Sequence, residues 1–396
     1  MRKRKIVCVM ALCGATAPAF AQSSVTLYGL IDEGIDYTNN VGGHAVYEMT
    51  SGYAQGSRWG LKGTEDLGGG NSAVFQIESG FNASNGALAQ GGRAFGRQAY
   101  VGLANERYGT LTLGRQYDAV VDYLAQTTAN GNWGGYLFSH PYDNDNTDNT
   151  FRLNNTIKYA SPTFGGFSFG GTYSFSNDTN FANNRAVSVG AQYTVGGWLI
   201  ATAYLNASNP ALTSGGAIAG ASSTNGADGN FASSRLQIFG AGVSYTAGSA
   251  TVGFAYTNTY IGQPVANVGY LTGDETIQPV AGPLAGGRVT SLRYQNFEVN
   301  GKYQLTPAFY VGADYVYTLE HYVATTGGVK PSIHSVGLMA DYNLSKRTDV
   351  YLQGAFQLVA GDKTGSSLDQ AYVPGAQDLS STSRQVVVRA AIRHSF

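Results

Sequence analysis

The chain has 396 residues, with 24 Lys+Arg against 25 Asp+Glu, so it lacks the basic excess that marks nucleic-acid binding. Its 54 Gly, 27 Tyr and 18 Phe with only 10 Pro suit a β-protein with many tight turns. The sequence has no apolar run of about 18 residues, which excludes a spanning helix but leaves a closed barrel as a way to cross a bilayer.

At the N-terminus, Arg2, Lys3, Arg4 and Lys5 precede a short apolar run, and Ala19-Phe20-Ala21 fits the small-x-small cleavage rule. Residues 1–21 are therefore expected to be a signal peptide, with the mature chain (22–396) starting at Gln22. Both cysteines, Cys8 and Cys13, fall inside that leader, so the mature chain is expected to hold neither disulfide nor cysteine metal site. Removing the four basic leader residues gives 24 − 4 = 20 against 25, a net charge of −5.

Thereafter a period of two repeats along the chain, the signature of strands. In 25–37, Val25, Leu27, Ile31 and Ile35 oppose Thr26, Tyr28, Asp32 and Asp36. In 57–64, Trp59 and Leu61 oppose Arg58 and Lys62; in 73–81, Phe75 and Ile77 oppose Gln76 and Glu78. Segments near 97–103, 110–116, 152–159, 167–175 and 187–193 continue the pattern. Segments 198–205 and 237–245 alternate poorly. Then come 252–257, 296–303, 309–318, 335–342, 349–357 and 385–396, giving sixteen strands. In the last, Val386, Val388, Ala390, Ile392 and Phe396 oppose Gln385, Val387, Arg389 and Arg393, and the aromatic end suits a strand that seals a closed wall.

Connections alternate between short Gly/Pro/Ser turns and long polar loops, the layout of an outer-membrane barrel. A soluble sandwich is the alternative. Against it stand aromatic residues near strand ends of the apolar face and mid-strand charges that a dry core would not hold unpaired. The expected fold is all-β, a transmembrane antiparallel barrel of sixteen strands.

Residues 117–150 are too many for a hairpin loop, and long loops are usually functional or disordered. This one carries Asp118, Asp122, Tyr123, Trp133, Tyr136, Leu137 and Phe138, side chains able to pack. Folded inward, it would narrow the channel that a barrel of this size encloses, and an acidic loop facing a basic wall would set a transverse field there. Left outside, it would be a surface loop with solvated aspartates.

The stretches Ser57-Arg58-Trp59-Gly60-Leu61-Lys62-Gly63-Thr64-Glu65-Asp66-Leu67-Gly68, Gly109-Thr110-Leu111-Thr112-Leu113-Gly114-Arg115-Gln116, Asn154-Asn155-Thr156-Ile157-Lys158-Tyr159 and Ile392-Arg393-His394-Ser395-Phe396 resemble the general porins of Gram-negative outer membranes, and most of all their β-proteobacterial branch. The resemblance runs end to end. It implies a homotrimer passing ions and small hydrophilic solutes passively, set in outer-membrane lipid and lipopolysaccharide, with an inward-folded third extracellular loop. It implies a basic cluster at Arg58, Arg97 and Arg152, with Lys62 and Lys158 nearby, against Glu78, Asp118 and Asp122. It also implies that outer-membrane assembly machinery reads Phe396. Strict alternation, however, puts Arg97 on the apolar face with Ala99 and Val101. That would require a bulge, or Tyr100 at a subunit contact.

Other functions fit less well. An outer-membrane enzyme needs a nucleophile with a base in reach. None of His44, His140, His321, His334 or His394 sits in a recognisable nucleophile motif, and no catalytic residue, cofactor or metal is expected. A substrate-selective channel would carry aromatics along the lumen, whereas most here fall on the apolar face. An adhesin would use the long loops, whose sequence names no partner.

Overall fold

The computed structural model describes residues 24–220, 228–267, 270–271 and 275–396. The expected signal peptide and the start at Gln22 lie outside the described residues.

Sixteen strands form the wall, each antiparallel to the next. They are β1 (Ser24–Val41), β2 (Arg58–Gly68), β3 (Asn71–Gly80), β4 (Gln98–Asn105), β5 (Gly109–Gln116), β6 (Leu153–Ala160), β7 (Phe167–Ser174) and β8 (Ala186–Val195). They continue with β9 (Trp198–Ser208), β10 (Arg235–Ala247), β11 (Ala250–Gly262), β12 (Val289–Thr306), β13 (Phe309–Ala324), β14 (Pro331–Asn343), β15 (Thr348–Gly361) and β16 (Arg384–Ser395). Two further segments only extend the wall: His44–Ser51 lies beside the upper half of β1, above β2, and Gly327–Val329 beside the end of β13.

The barrel closes where β16 pairs with β1, from Leu30 opposite Ser395 to Thr38 opposite Val387. Phe396 adds one more rung: its N–H donates to Gly29 O at 3.0 Å and its carbonyl accepts from Gly29 N–H at 3.2 Å. A side chain at position 29 would strike the Phe396 ring, so the terminal aromatic needs glycine across from it.

Alternation sorts the wall as expected. Val25, Leu27 and Ile35 are each at least 60% exposed on the outside, while Asp32 and Asp36 on the same strand are 1% exposed or less on the inside. Such an inversion is stable only if the outer face meets lipid. Tyr108, Phe164, Phe167, Tyr193, Trp198, Tyr245, Tyr303 and Tyr342 crowd the outer face beside the short turns, forming an aromatic girdle.

β9 and β10 alternate poorly because their inner face is apolar too. Ala203, Leu205, Leu236 and Ile238 point inward and share a buried cluster with Val120 and Leu124 of the long connection. That connection, residues 117–152, runs inside the barrel. Glycines on the inner wall make room for it: a Cβ at Gly170 or Gly190 would overlap Tyr123, at Gly240 Leu124, at Gly242 Thr127, at Gly312 Trp133, and at Gly337 Phe138. Five strands, β7, β8, β10, β13 and β14, thus lay a flat track for one loop. Polar bonds fasten it, including Ala119 N–H to Ser188 Oγ (3.0 Å), Ala129 N–H to Glu298 Oε1 (2.6 Å) and Gln353 Nε2 to Gly134 O (2.5 Å).

Candidate functional site

The loop leaves a lumen cavity of about 600 Å³ between itself and the opposite wall. Arg58, Arg97 and Arg152, the three arginines that the family resemblance implies, all line it. Arg58 opens β2, Arg97 precedes β4 and Arg152 precedes β6, so each stands at the upper end of a strand, where the chain turns toward the lumen.

Arg97 resolves the conflict over its face. β4 begins at Gln98, so Arg97 lies outside the alternation, and neither a bulge nor a subunit contact is needed. Tyr100 points into the lumen, its hydroxyl donating to Gln76 Oε1 at 2.9 Å. Arg97 is held from both sides: Nε donates to Glu78 Oε1 at 2.7 Å and Nη2 to Tyr117 Oη at 2.8 Å. Glu78 also accepts from Tyr28 Oη at 2.9 Å. Arg152 donates to Asn149 Oδ1, and its guanidinium sits 5.4 Å from the Tyr117 ring centroid.

The remaining predicted residues stand elsewhere. Lys62 lies below the cavity, 5.4 Å from the Tyr28 ring, beside a separate space of about 320 Å³. Lys158 and Asp122 neutralise each other, and Lys158 also donates to Tyr117 O at 3.2 Å. Asp118 is fully buried and does not face the cavity. Its oxygens accept from Val120 N–H and from Asn146 Nδ2, both at 2.7 Å, so it shapes the loop, and burial pushes its carboxyl up to about 6. The acid that does line the cavity is Asp148. Burial first, then Asp143, holds its carboxyl well above the usual range.

Sequence reasoning missed several other residues. Lys302 and Arg393 also line the cavity, from β12 and β16; the inward parity of both strands carried that signal. Arg393 is paired, with Nε 3.1 Å from Asp349 Oδ1. Lys302 has no carboxylate partner among the described residues and sits 5.5 Å from the Tyr310 ring. Arg115 belongs to the outer face by parity, but a bulge between Gly114 and Gln116 turns it inward. There it meets Asp228 at 2.8 Å, and Arg93 reaches the same carboxylate at 3.2 Å. His140 is the loop's fastener, with Nδ1 2.5 Å from Asp145 Oδ2 and Nε2 2.9 Å from Glu298 Oε2 on β12. Burial opposes its charge, yet these two carboxylates outweigh burial and hold the imidazole well above its usual range.

A closed barrel of sixteen strands, apolar outside and polar within, narrowed by an inward loop to a basic opening, defines a water-filled transmembrane channel. Residues 8–359 match the Gram-negative porin family. An outer membrane porin protein of Bordetella pertussis is 34% identical over 385 residues, covering 89% of this chain and 94% of that one. Outer membrane porin protein 32 of Delftia acidovorans is 29% identical over 404 residues, covering 99% and 100%. Among solved structures, an anion-selective porin from Comamonas acidovorans superposes with a TM-score of 0.69 at 23% identity, covering 95% of this chain and 100% of that one. The chain belongs to the Gram-negative porin family and is an outer-membrane channel for passive diffusion.

Proposed function

We propose that the chain forms a trimeric, water-filled pore that passes small hydrophilic solutes and prefers anions. One observation carries the preference. Of the cations around the cavity, Arg58, Arg152 and Lys302 lack a carboxylate partner among the described residues, and the acid facing them is Asp148. The Comamonas porin is anion-selective, which agrees with this reading. Transport of this kind needs no chemical step, so catalysis forms no part of the reading. Outer-membrane lipid and lipopolysaccharide would surround the wall, and assembly machinery would read Phe396 at its closing seam.

A tenfold preference needs only about 1.4 kcal/mol between the two ions. A pair of unit charges about 4 Å apart near a protein surface interacts by about 4 kcal/mol, so three unpaired cations suffice. The test is a planar bilayer under a potassium chloride gradient. Ohmic, long-lived steps in groups of three and a chloride-side reversal potential are expected. Changing Arg58→Gln with Arg152→Gln should move that potential toward potassium by a factor of several in permeability ratio. An unchanged potential removes both residues from the ion path, and steps that never group in threes sink the trimer.

A further inference from the structure

We propose that the constriction selects planar aromatic carboxylates over saturated carboxylates of equal charge and similar size. The inference rests on the anion-preferring reading above and names the class of anion that best fits the same opening.

The first observation is a set of cations without carboxylates. The guanidinium groups of Arg58 and Arg152 and the ammonium of Lys302 border this cavity with no carboxylate partner among the described residues. Arg97 differs, because Glu78 and Tyr117 already engage it; it positions Tyr117. A carboxylate offers acceptor pairs to guanidinium groups in the geometry they favour.

The second observation is the aromatic lining. Besides Trp133, the rings of Tyr53, Tyr117, Tyr136 and Tyr310 border this cavity, each half-buried. Tyr53 and Tyr136 meet edge to face at 5.7 Å and 70°. The guanidinium of Arg152 lies over Tyr117, and the ammonium of Lys302 over Tyr310. Ring and cation therefore stand side by side on both flanks of the opening. Chloride or acetate uses the charges and leaves the rings idle. A flat ring bearing a carboxylate uses both, by ring–ring contact and by stacking on a guanidinium plane. A saturated ring of the same size has neither the flat shape nor the quadrupole that these contacts need.

Benzoate and cyclohexanecarboxylate separate the two cases, since they match in charge and nearly in size. Each is added to the intact channel in a planar bilayer, and the concentration that halves the chloride current is read. Benzoate is expected to block at about two- to tenfold lower concentration, the range that one aromatic contact supplies. Tyr136→Leu should bring the two concentrations together, and Tyr136→Phe should keep them apart. Equal block by both anions in the unchanged protein overturns the aromatic selection while leaving the chloride preference standing. A channel with no chloride preference overturns the anion reading itself. The wild-type comparison needs no variant, so misassembly of a variant leaves it intact.

Discussion

Arg389 on the closing strand tests how the barrel is held shut. The side chain is 0% exposed, and every donor is used. Nη1 bonds both oxygens of Asp36 at 2.9 and 3.1 Å, and Nη2 bonds Asp32 Oδ1 at 3.1 Å. Nε bonds Tyr351 Oη at 3.0 Å, and the guanidinium lies 4.4 Å from the Tyr53 ring centroid. Arg389→Met nearly keeps the volume but leaves Asp32 and Asp36 buried without their cation. Breaking a buried pair from one side costs about 3–5 kcal/mol. With a guanidinium m-value of about 4 kcal/mol per molar, the unfolding midpoint should fall by about 1 M. The assay is far-UV circular dichroism of refolded protein in detergent micelles against guanidinium. Adding Asp32→Asn and Asp36→Asn to Arg389→Met should recover most of the loss, because no buried charge then remains. A single variant that unfolds with the wild type, or a triple variant weaker than the single, refutes the reasoning.

The glycine track gives a second expectation. Gly240→Leu drives a side chain into Leu124, an overpacking worth about 1–3 kcal/mol, and should lift the loop from the wall and raise single-channel conductance. Gly354→Ala, where no atom lies within 4 Å of an added Cβ, should leave conductance as it was. A third concerns pH. Burial, with Asp145 next, pushes Asp143 up to about 7, and Asp143 in turn helps raise Asp148. Below that pH this pair holds a proton, and above it the loop gains negative charge opposite Arg58 and Arg152. Anion preference, read as reversal potential, should therefore fall between pH 5.5 and 8.5, and Asp143→Asn should flatten the profile.

The wall was legible in the sequence because its physics is local. Two-residue alternation follows from backbone geometry, and lipid outside with water inside gives the two faces different chemistry, as Val25 and Asp32 show. Where the inner face meets protein instead of water, at Leu205 and Ile238, that contrast vanishes and so does the signal. The site was legible in part for the same reason. Arg58 follows from strand parity. Arg115 does not, because the register between β5 and β6 shifts between Gly114 and Gln116, with one extra residue on β6, and no local pattern announces that irregularity. The choice of loop acids failed at Asp118 because its carboxylate caps Val120 and ties Asn146, contacts fixed only by the folded loop.

Composition is equally silent on ion preference, and the pairing pattern explains why. The whole chain carries a formal charge of −1, yet the lumen cavity beside the loop is lined by more cations than carboxylates. Several lumen acids are answered at contact distance: Asp32 and Asp36 by Arg389, Glu78 by Arg97, Asp122 by Lys158, Asp228 by Arg115, and Asp349 by Arg393. A paired charge presents a dipole to a passing ion, and its field decays faster than that of a lone charge. Acids on exposed loops, such as Asp178, act through saline in which fields fade within about 8 Å. What remains in the lumen cavity without a charged partner is Arg58, Arg152 and Lys302 on one side and Asp148 on the other. On the proposed anion-preferring reading, selectivity in this barrel is governed by which carboxylates its folding consumes. A substitution that frees Asp36 or Asp228 from its arginine should disturb stability well before it disturbs permeation, whereas one at Arg58 should do the reverse.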